Sequence, residues 1–439
     1  MSIGDGKRLD PSVFKLDADR MRTGWYSDAY FINVRNILAA LAAHGYRFAG
    51  SSAALDEIGV AADEVETGNM EAEMQFFTKR EPFSIVAGTD NAIAMLRLCA
   101  GHLDDDEFVN TWNSLEVHAV QDGTKLEPWA PAMRVRGRYR DFAILETPIL
   151  GAIARRTRIA TNVFKTLVAT GGKEVLFFPA RFDIHETQAG DGYAYRVAIE
   201  AYNKEAGTRL LAFISTDSQG DWWGEAGGGT VSHSYILCFL KDTVEAMLKF
   251  AEIISPETKR IVLVDTDNDC VRASVATARA MFRRYMECVE AGRESEAEKF
   301  VLYGVRPDTA ADMVDESIDP IGDAAVDCGV NPRLIWNIRR ALDSAPDGMD
   351  LAGAWRERAR DYFRSIKIVA TGGFTPERIR LFESLQVPVD IYGVGSYLMR
   401  GENNDFTADI VRVKINGAWH DMAKTGRRAI DNPDLEHVT

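Results

Sequence analysis

The run Gly227-Gly228-Gly229-Thr230-Val231-Ser232-His233 sets an imidazole directly after flexible backbone and directly before a long apolar-patterned segment. An imidazole can pass a proton or carry a phosphoryl group near neutral pH, and glycines let backbone amides close around an anion. From Ser234 to Ile254 apolar residues recur at helical spacing (Tyr235, Leu237, Phe239, Leu240, Val244, Met247), which predicts one long helix with His233 at its start. At that end the unpaired amides and the helix dipole favour negative charge. The plain alternative is a histidine that only caps the helix or packs in the core.

More candidates lie where apolar runs end. The runs 175–178, 210–214, 261–264, 300–305, 366–370 and 389–394 read as buried strands. They alternate with helices expected over 271–291, 333–344, 355–364 and 376–385, the last with Thr375 as N-cap and Pro376 in its first turn. Such alternation predicts an α/β fold with a parallel sheet or barrel, in which chemistry gathers at the carboxyl ends of the strands. Those ends are polar: Arg181, Ser215-Thr216-Asp217, Asp265-Thr266-Asp267, Arg306-Pro307-Asp308, Thr371-Gly372-Gly373 and Gly393-Val394-Gly395-Ser396.

Each end suits a particular task. Gly372 and Gly373, beside Gly393, Gly395 and the Ser396 hydroxyl, would form a phosphate cup if their strands are neighbours; tight turns alone are the alternative. Arg306 can grip a carboxylate or phosphate with two parallel hydrogen bonds, while Asp308 can hold ribose hydroxyls or magnesium-bound water. Asp265 and Asp267 offer similar oxygens, although one of them is equally suited to cap the next helix. Phe178 and Arg181 combine an aromatic face with a guanidinium, which suits a flat anionic ring, and a core role is the alternative for Phe178.

The elements ahead of these runs differ in rhythm. Residues 30–43 read as an amphipathic helix, and 116–140 as strands broken at Asp122-Gly123, Pro128 and Pro131, with ionic and apolar residues alternating as in a half-solvated sheet. After the last apolar run a hairpin is expected about Asn416-Gly417, suited to return into that first layer.

Bulk properties limit the function classes. A chain of 439 residues with a formal charge of −15 is large enough for more than one core and ill suited to nucleic acid or an anionic membrane, although Arg155-Arg156-Thr157-Arg158 could still serve a small phosphorylated ligand. No signal-peptide pattern follows Met1, no apolar run approaches the roughly 18 residues needed to span a bilayer, and five widely spaced cysteines without a C-x-x-C pair suit buried thiols in a reducing cytoplasm.

Taken in order, Ser27-Asp28-Ala29-Tyr30, Glu81-Pro82-Phe83, Asp122-Gly123-Thr124, Leu145-Glu146-Thr147, Phe178-Pro179-Ala180-Arg181, Gly229-Thr230-Val231-Ser232-His233-Ser234, Leu263-Val264-Asp265-Thr266, Gly304-Val305-Arg306-Pro307-Asp308, Ala370-Thr371-Gly372-Gly373 and Tyr392-Gly393-Val394-Gly395-Ser396 resemble the nicotinate phosphoribosyltransferase family, among the type II phosphoribosyltransferases. The resemblance spans nearly the whole chain. It departs at Pro179, where many relatives carry glycine, and after Asp308, where Thr309-Ala310 replaces a frequent Ser-Gly.

The resemblance implies an N-terminal α/β sandwich over 1–140, an irregular α/β barrel over 141–396 and a return to the sandwich over 397–439. It implies synthesis of nicotinate mononucleotide and pyrophosphate from nicotinate and phosphoribosyl pyrophosphate, with Mg²⁺, and with ATP as co-substrate through a phosphorylated His233. Asp308 would face the sugar in catalysis. Phe178 and Tyr30 would sandwich the pyridine, and Arg181, Thr230, Asp265 and Arg306 would surround the substrates. Gly372, Gly373, Gly393, Gly395 and Ser396 would hold the 5′-phosphate. Asp28 and Tyr30 would reach the site of a second subunit in a cytoplasmic homodimer. The alternatives are a nicotinamide phosphoribosyltransferase and a phosphosugar-binding barrel without catalysis.

Overall fold

A computed structural model describes residues 7–105, 107–229, 231–351, 353–401 and 406–439. The chain divides into two compact units: one runs to Phe164 and takes in Tyr193–Glu205 and the segment from Gly401, and the other comprises Lys165–Gly192 and Ala206–Arg400.

The first unit is built on a six-stranded sheet in the order Ala418–Asp421, Phe406–Ile415, Glu71–Thr78, Pro131–Arg138, Glu116–Ala119, Glu436–His437, with every pairing antiparallel. Alternation decides its two faces. Met74, Phe76, Val117, Met133 and Val135 point into a core closed by Ile93 and Leu96 of the Thr89–Cys99 helix and by Ile149 and Ile153 of the Glu146–Thr170 helix. On the opposite face the fully buried Glu73 carboxylate receives Arg136 at 2.7 Å and Arg412 at 3.4 Å from the two flanking strands. A buried carboxylate needs such partners, so this trio also holds the strand register. The expected hairpin is present: Asn416 and Gly417 take left-handed φ values of 50° and 81°, the pair that a tight two-residue turn requires.

The second unit carries a five-stranded parallel sheet in the order Glu174–Phe177, Ile391–Val394, Lys367–Ala370, Gly304–Arg306, Ile261–Leu263. Its strands are almost wholly buried, which explains why they read as unbroken apolar runs. The intervening helices include Cys270–Glu290, Pro332–Ser344, Ala354–Ser365 and Pro376–Ser384. The Asp269, Asn331 and Thr375 side chains each cap one of them.

Several expectations need correction. The segment 210–214 contributes only a single parallel bridge, Ile214 to Phe177; Ile214 is buried there, but Leu211 is exposed and lies outside the ladder. The run 300–305 becomes a strand only at Gly304; before it, the Tyr362 hydroxyl donates to Phe300 O and accepts from Leu302 N–H, holding the lead-in outside the ladder. The single helix expected after His233 is two, His233–Cys238 and Thr243–Ile253, broken where Leu240 and Lys241 adopt φ of 54° and 72°. Leu240, expected on the apolar face, is almost fully exposed. Of the cysteines, Cys99, Cys270 and Cys288 are buried, but Cys238 is exposed and Cys328 half-buried. Among the described residues no helix is long and apolar enough to cross a membrane.

Arg260 shows how tightly the strand ahead of Asp265 is anchored. Its guanidinium is buried and donates to the carbonyls of Ala251, Ile254, Ser255, Thr258 and Lys299, so it terminates the Thr243–Ile253 helix in place of a glycine cap. Arg260→Met should cost about 3–5 kcal/mol, because several buried carbonyls lose their donor at once. Urea midpoints of the two proteins measure the loss; a difference below about 1 kcal/mol would show that water replaces the guanidinium.

Candidate functional site

The parallel strands of the second unit end on one side, and the residues after them meet there. His233 is the first residue of its short helix, whose N-cap Ser232 accepts a hydrogen bond from Tyr235 N–H. The imidazole Nε2 lies 3.0 Å from Asp265 Oδ2. Asp265 itself is mostly buried, and its other oxygen, Oδ1, is a buried acceptor with no hydrogen-bond partner among the described residues. Burial raises the Asp265 carboxyl above the ordinary range and Asp308 adds to the rise, while His233 opposes it.

On the neighbouring strand the Arg306 guanidinium donates to Val231 O at 3.2 Å and lies 3.8 Å from Asp308 Oδ2. Arg306 is largely enclosed, and this burial draws its pKa down against the pull of Asp308 and Asp265; nearby Arg181 acts in the same direction as burial. Asp308 turns its other oxygen to the next strand, where the Thr371 hydroxyl donates at 2.7 Å. The Thr371 N–H is meanwhile bound to Pro307 O, so one residue ties two strand ends together.

Glycine is needed here for close approach as much as for turning. Gly372 and Gly373 have left-handed φ of 97° and 72°. Gly393 is extended, and a β-carbon on it would lie 2.5 Å from the Thr371 methyl and 3.0 Å from the Phe178 ring. The Thr371-Gly372-Gly373 and Gly393–Ser396 segments leave adjacent parallel strands, paired through Ala370 and Tyr392, and Ser396 opens a four-residue helix. Phe178 is half-buried against Phe213, edge to face at 6.2 Å, and Arg181 is exposed. Thr230 lies outside the described residues. Asp267 is drawn to Lys241 and Arg272 at 3.7 Å each, and it is Asp269 that caps the following helix.

Asp28 and Tyr30 belong to the first unit. Asp28 stands at the N-cap of the Ala29–Ala43 helix but does not cap it; its Oδ2 instead accepts the Thr147 hydroxyl at 3.0 Å and the Tyr30 hydroxyl at 3.2 Å. The Tyr30 ring is largely exposed. Beside them, burial and the carboxylates of Asp409 and Asp28 push Glu146 up to about 8. Sequence reasoning overlooked three participants: Thr371, passed over for its glycines, and Glu146 with Thr147, quoted in a motif but given no task.

The raised Glu146 pKa has a consequence of definite sign. Because the folded value lies above the ordinary 4.5, the stability that Glu146 confers is complete below that pH and is lost as pH rises through about 8. Glu146→Gln keeps the shape without the charge and should flatten the decline. The variant should gain roughly 3–5 kcal/mol over wild type at alkaline pH, since each pH unit separating the folded from the ordinary value is worth ~1.4 kcal/mol. Urea midpoints across this window test the assignment, and an unchanged slope in the variant would remove it.

Comparisons with known proteins bear on the fold. Residues 59–157 match the family described as quinolinate phosphoribosyl transferase, N-terminal domain. The chain is 25% identical over 310 residues to nicotinate phosphoribosyltransferase 2 of Arabidopsis thaliana, a match covering 65% of this chain and 51% of that protein. It is 26% identical over 162 residues to nicotinate phosphoribosyltransferase 1 of the same plant, covering 35% of this chain and 26% of that one. The chain thus spans about half the length of the first of these relatives and about a quarter of the second. Among solved structures, nicotinate-nucleotide pyrophosphorylase from Pyrococcus furiosus shares the fold, with a TM-score of 0.62 and 22% identity over 96% of this chain and 85% of that one. The fold is therefore the mixed α/β architecture of these enzymes. The chain is thus similar in part of its length to quinolinate and nicotinate phosphoribosyltransferases.

Proposed function

We propose that the protein is a nicotinate phosphoribosyltransferase serving NAD biosynthesis, which joins nicotinate to phosphoribosyl pyrophosphate and couples the reaction to ATP through phospho-His233. The observation that carries this reading is the convergence of His233–Asp265 and of Arg306–Asp308–Thr371 on the carboxyl ends of adjacent parallel strands. With Nε2 engaged by Asp265, Nδ1 is the nitrogen left to take the phosphoryl group, and the carboxylate orients the ring.

In the transfer itself, the pyridine nitrogen forms a bond to the ribose anomeric carbon as the bond to pyrophosphate breaks. Asp308, held by Thr371, faces the positive charge that develops on the sugar, and Arg306 meets phosphate. Arg181 has no ion pair among the described residues and so is free to meet the ring carboxylate, which favours nicotinate over nicotinamide. Asp265 Oδ1 and Asp308 suit a magnesium ion that also binds substrate phosphates, although no cluster of three metal-ligating side chains occurs among the described residues. Magnesium, when bound, neutralises the leaving pyrophosphate.

Product formation from phosphoribosyl pyrophosphate with nicotinate, nicotinamide or quinolinate, each with and without ATP, tests the reading. Nicotinate should be the preferred base and ATP should stimulate; binding without turnover of any base overturns it. The same reading takes the enzyme as a cytoplasmic homodimer with Tyr30 completing the partner's site. If Tyr30→Ala and His233→Ala are each nearly inactive, mixing them under subunit exchange should then restore about a quarter of wild-type activity, since about half the dimers are mixed and each holds one intact site. No recovery despite proven exchange would confine Tyr30 to its own chain.

A further inference from the structure

The first unit contains a cavity of about 540 Å³, formed where the chain after the C-terminal hairpin crosses the sheet. That volume falls within the range of small-molecule sites. Its walls are of two kinds. One is aromatic: Phe77 and Trp129 lie nearly parallel, with centroids 5.7 Å apart and planes inclined by 20°. The other is cationic: Arg427 and Arg428 line the cavity, and Lys79 stands 4.9 Å over the Trp129 ring.

Trp129 occupies a position that ordinarily goes to glycine. It is the third residue of the Glu127–Ala130 turn, after Pro128, with φ of +72°, and its N–H is bound to Thr78 O at 2.7 Å. A bulky residue in left-handed backbone is strained, so the turn holds this indole at a conformational cost. The ring remains partly exposed along the cavity.

The cations are poorly neutralised. Arg427 is drawn to Asp409 at 2.7 Å while its guanidinium lies 5.4 Å over Trp129, but Arg428 and Lys79 are exposed and have no carboxylate partner among the described residues. In a chain with a net charge of −15, positive groups left unpaired around an aromatic wall are set for an anion rather than for solubility. The floor adds little further polarity, because the Gln75 amide is already bound to both backbone groups of Ile430.

We propose that this cavity is a ligand site for a nucleoside phosphate, the base lying against Trp129 and the phosphate meeting Arg427 and Arg428. All of its residues belong to the first unit, none is among the strand-end residues assigned to catalysis, and the proposal does not depend on the reaction proposed above. A flat ring with an attached anion is the chemistry that engages both walls at once; a bare phosphate uses only one.

Calorimetric titration of the full chain with adenosine monophosphate and with ribose 5-phosphate tests the assignment. Adenosine monophosphate should bind saturably, and equally well to Arg306→Ala. Its affinity should fall about 10-fold or more in Trp129→Gly, which supplies the residue this turn prefers, and in the surface variant Arg428→Glu. Ribose 5-phosphate should bind more weakly by a similar factor. The proposal is overturned if wild type shows no saturable binding at millimolar nucleotide, if both cavity variants bind as wild type does, if Arg306→Ala abolishes binding, or if ribose 5-phosphate binds as tightly as the nucleotide.

Discussion

Arg306→Ala and Asp308→Asn are each expected to lower kcat/KM about 10²–10³-fold while leaving the fold in place, because the proposed reaction would develop charge beside both groups. The two substitutions separate charge from structure. Asparagine at 308 can still accept the Thr371 hydroxyl now bound at 2.7 Å, so the strand ends stay tied while the negative charge is lost. Alanine at 306 removes the donor to Val231 O and leaves the segment before His233 without that tether, so some loss of ATP stimulation should accompany the fall in turnover. Steady-state kinetics with urea midpoints on the same preparations make the comparison. Wild-type kinetics in either variant would take that residue out of the reaction, and a stability loss that accounts for the whole fall would make its part structural.

His233→Ala should abolish acid-labile phosphate incorporation from γ-labelled ATP and with it the stimulation of turnover by ATP. The imidazole is substantially exposed and among the described residues makes one polar contact, to Asp265, so its removal costs the fold little. Asp265→Asn should weaken labelling less, since the ring loses the carboxylate but keeps a hydrogen-bond partner that orients it. Undiminished labelling of the His233→Ala protein would place the phosphoryl group on another residue. Labelling that disappears without any change in ATP-stimulated turnover would make the phosphohistidine a side product.

The sequence alone was enough to determine the elements whose cause is local. Buried parallel strands such as Ile261–Leu263 and Ile391–Val394 are legible as apolar runs because both faces are covered. The helix at Pro376 is legible because Thr375 caps it and proline suits the first turn, and the Asn416-Gly417 hairpin because few residue pairs tolerate two left-handed positions. The strand-end residues could be named for the same reason: once a run is read as a parallel strand, the polar residues directly after it must stand at the carboxyl edge of the sheet. Features that the chain could not disclose by itself depend on neighbours distant in sequence. Whether Leu210 to Ile214 forms a strand is decided by which of its residues are covered, and Leu211 is left exposed. The break at Leu240 and Lys241 overrides a helical pattern that was locally sound. Only strand order places Thr371 against Asp308 and His233 against Asp265, and only burial beside Asp28 and Asp409 gives Glu146 its altered titration. Periodicity and capping are carried by short stretches of backbone, whereas desolvation and hydrogen-bond pairing belong to the packed whole.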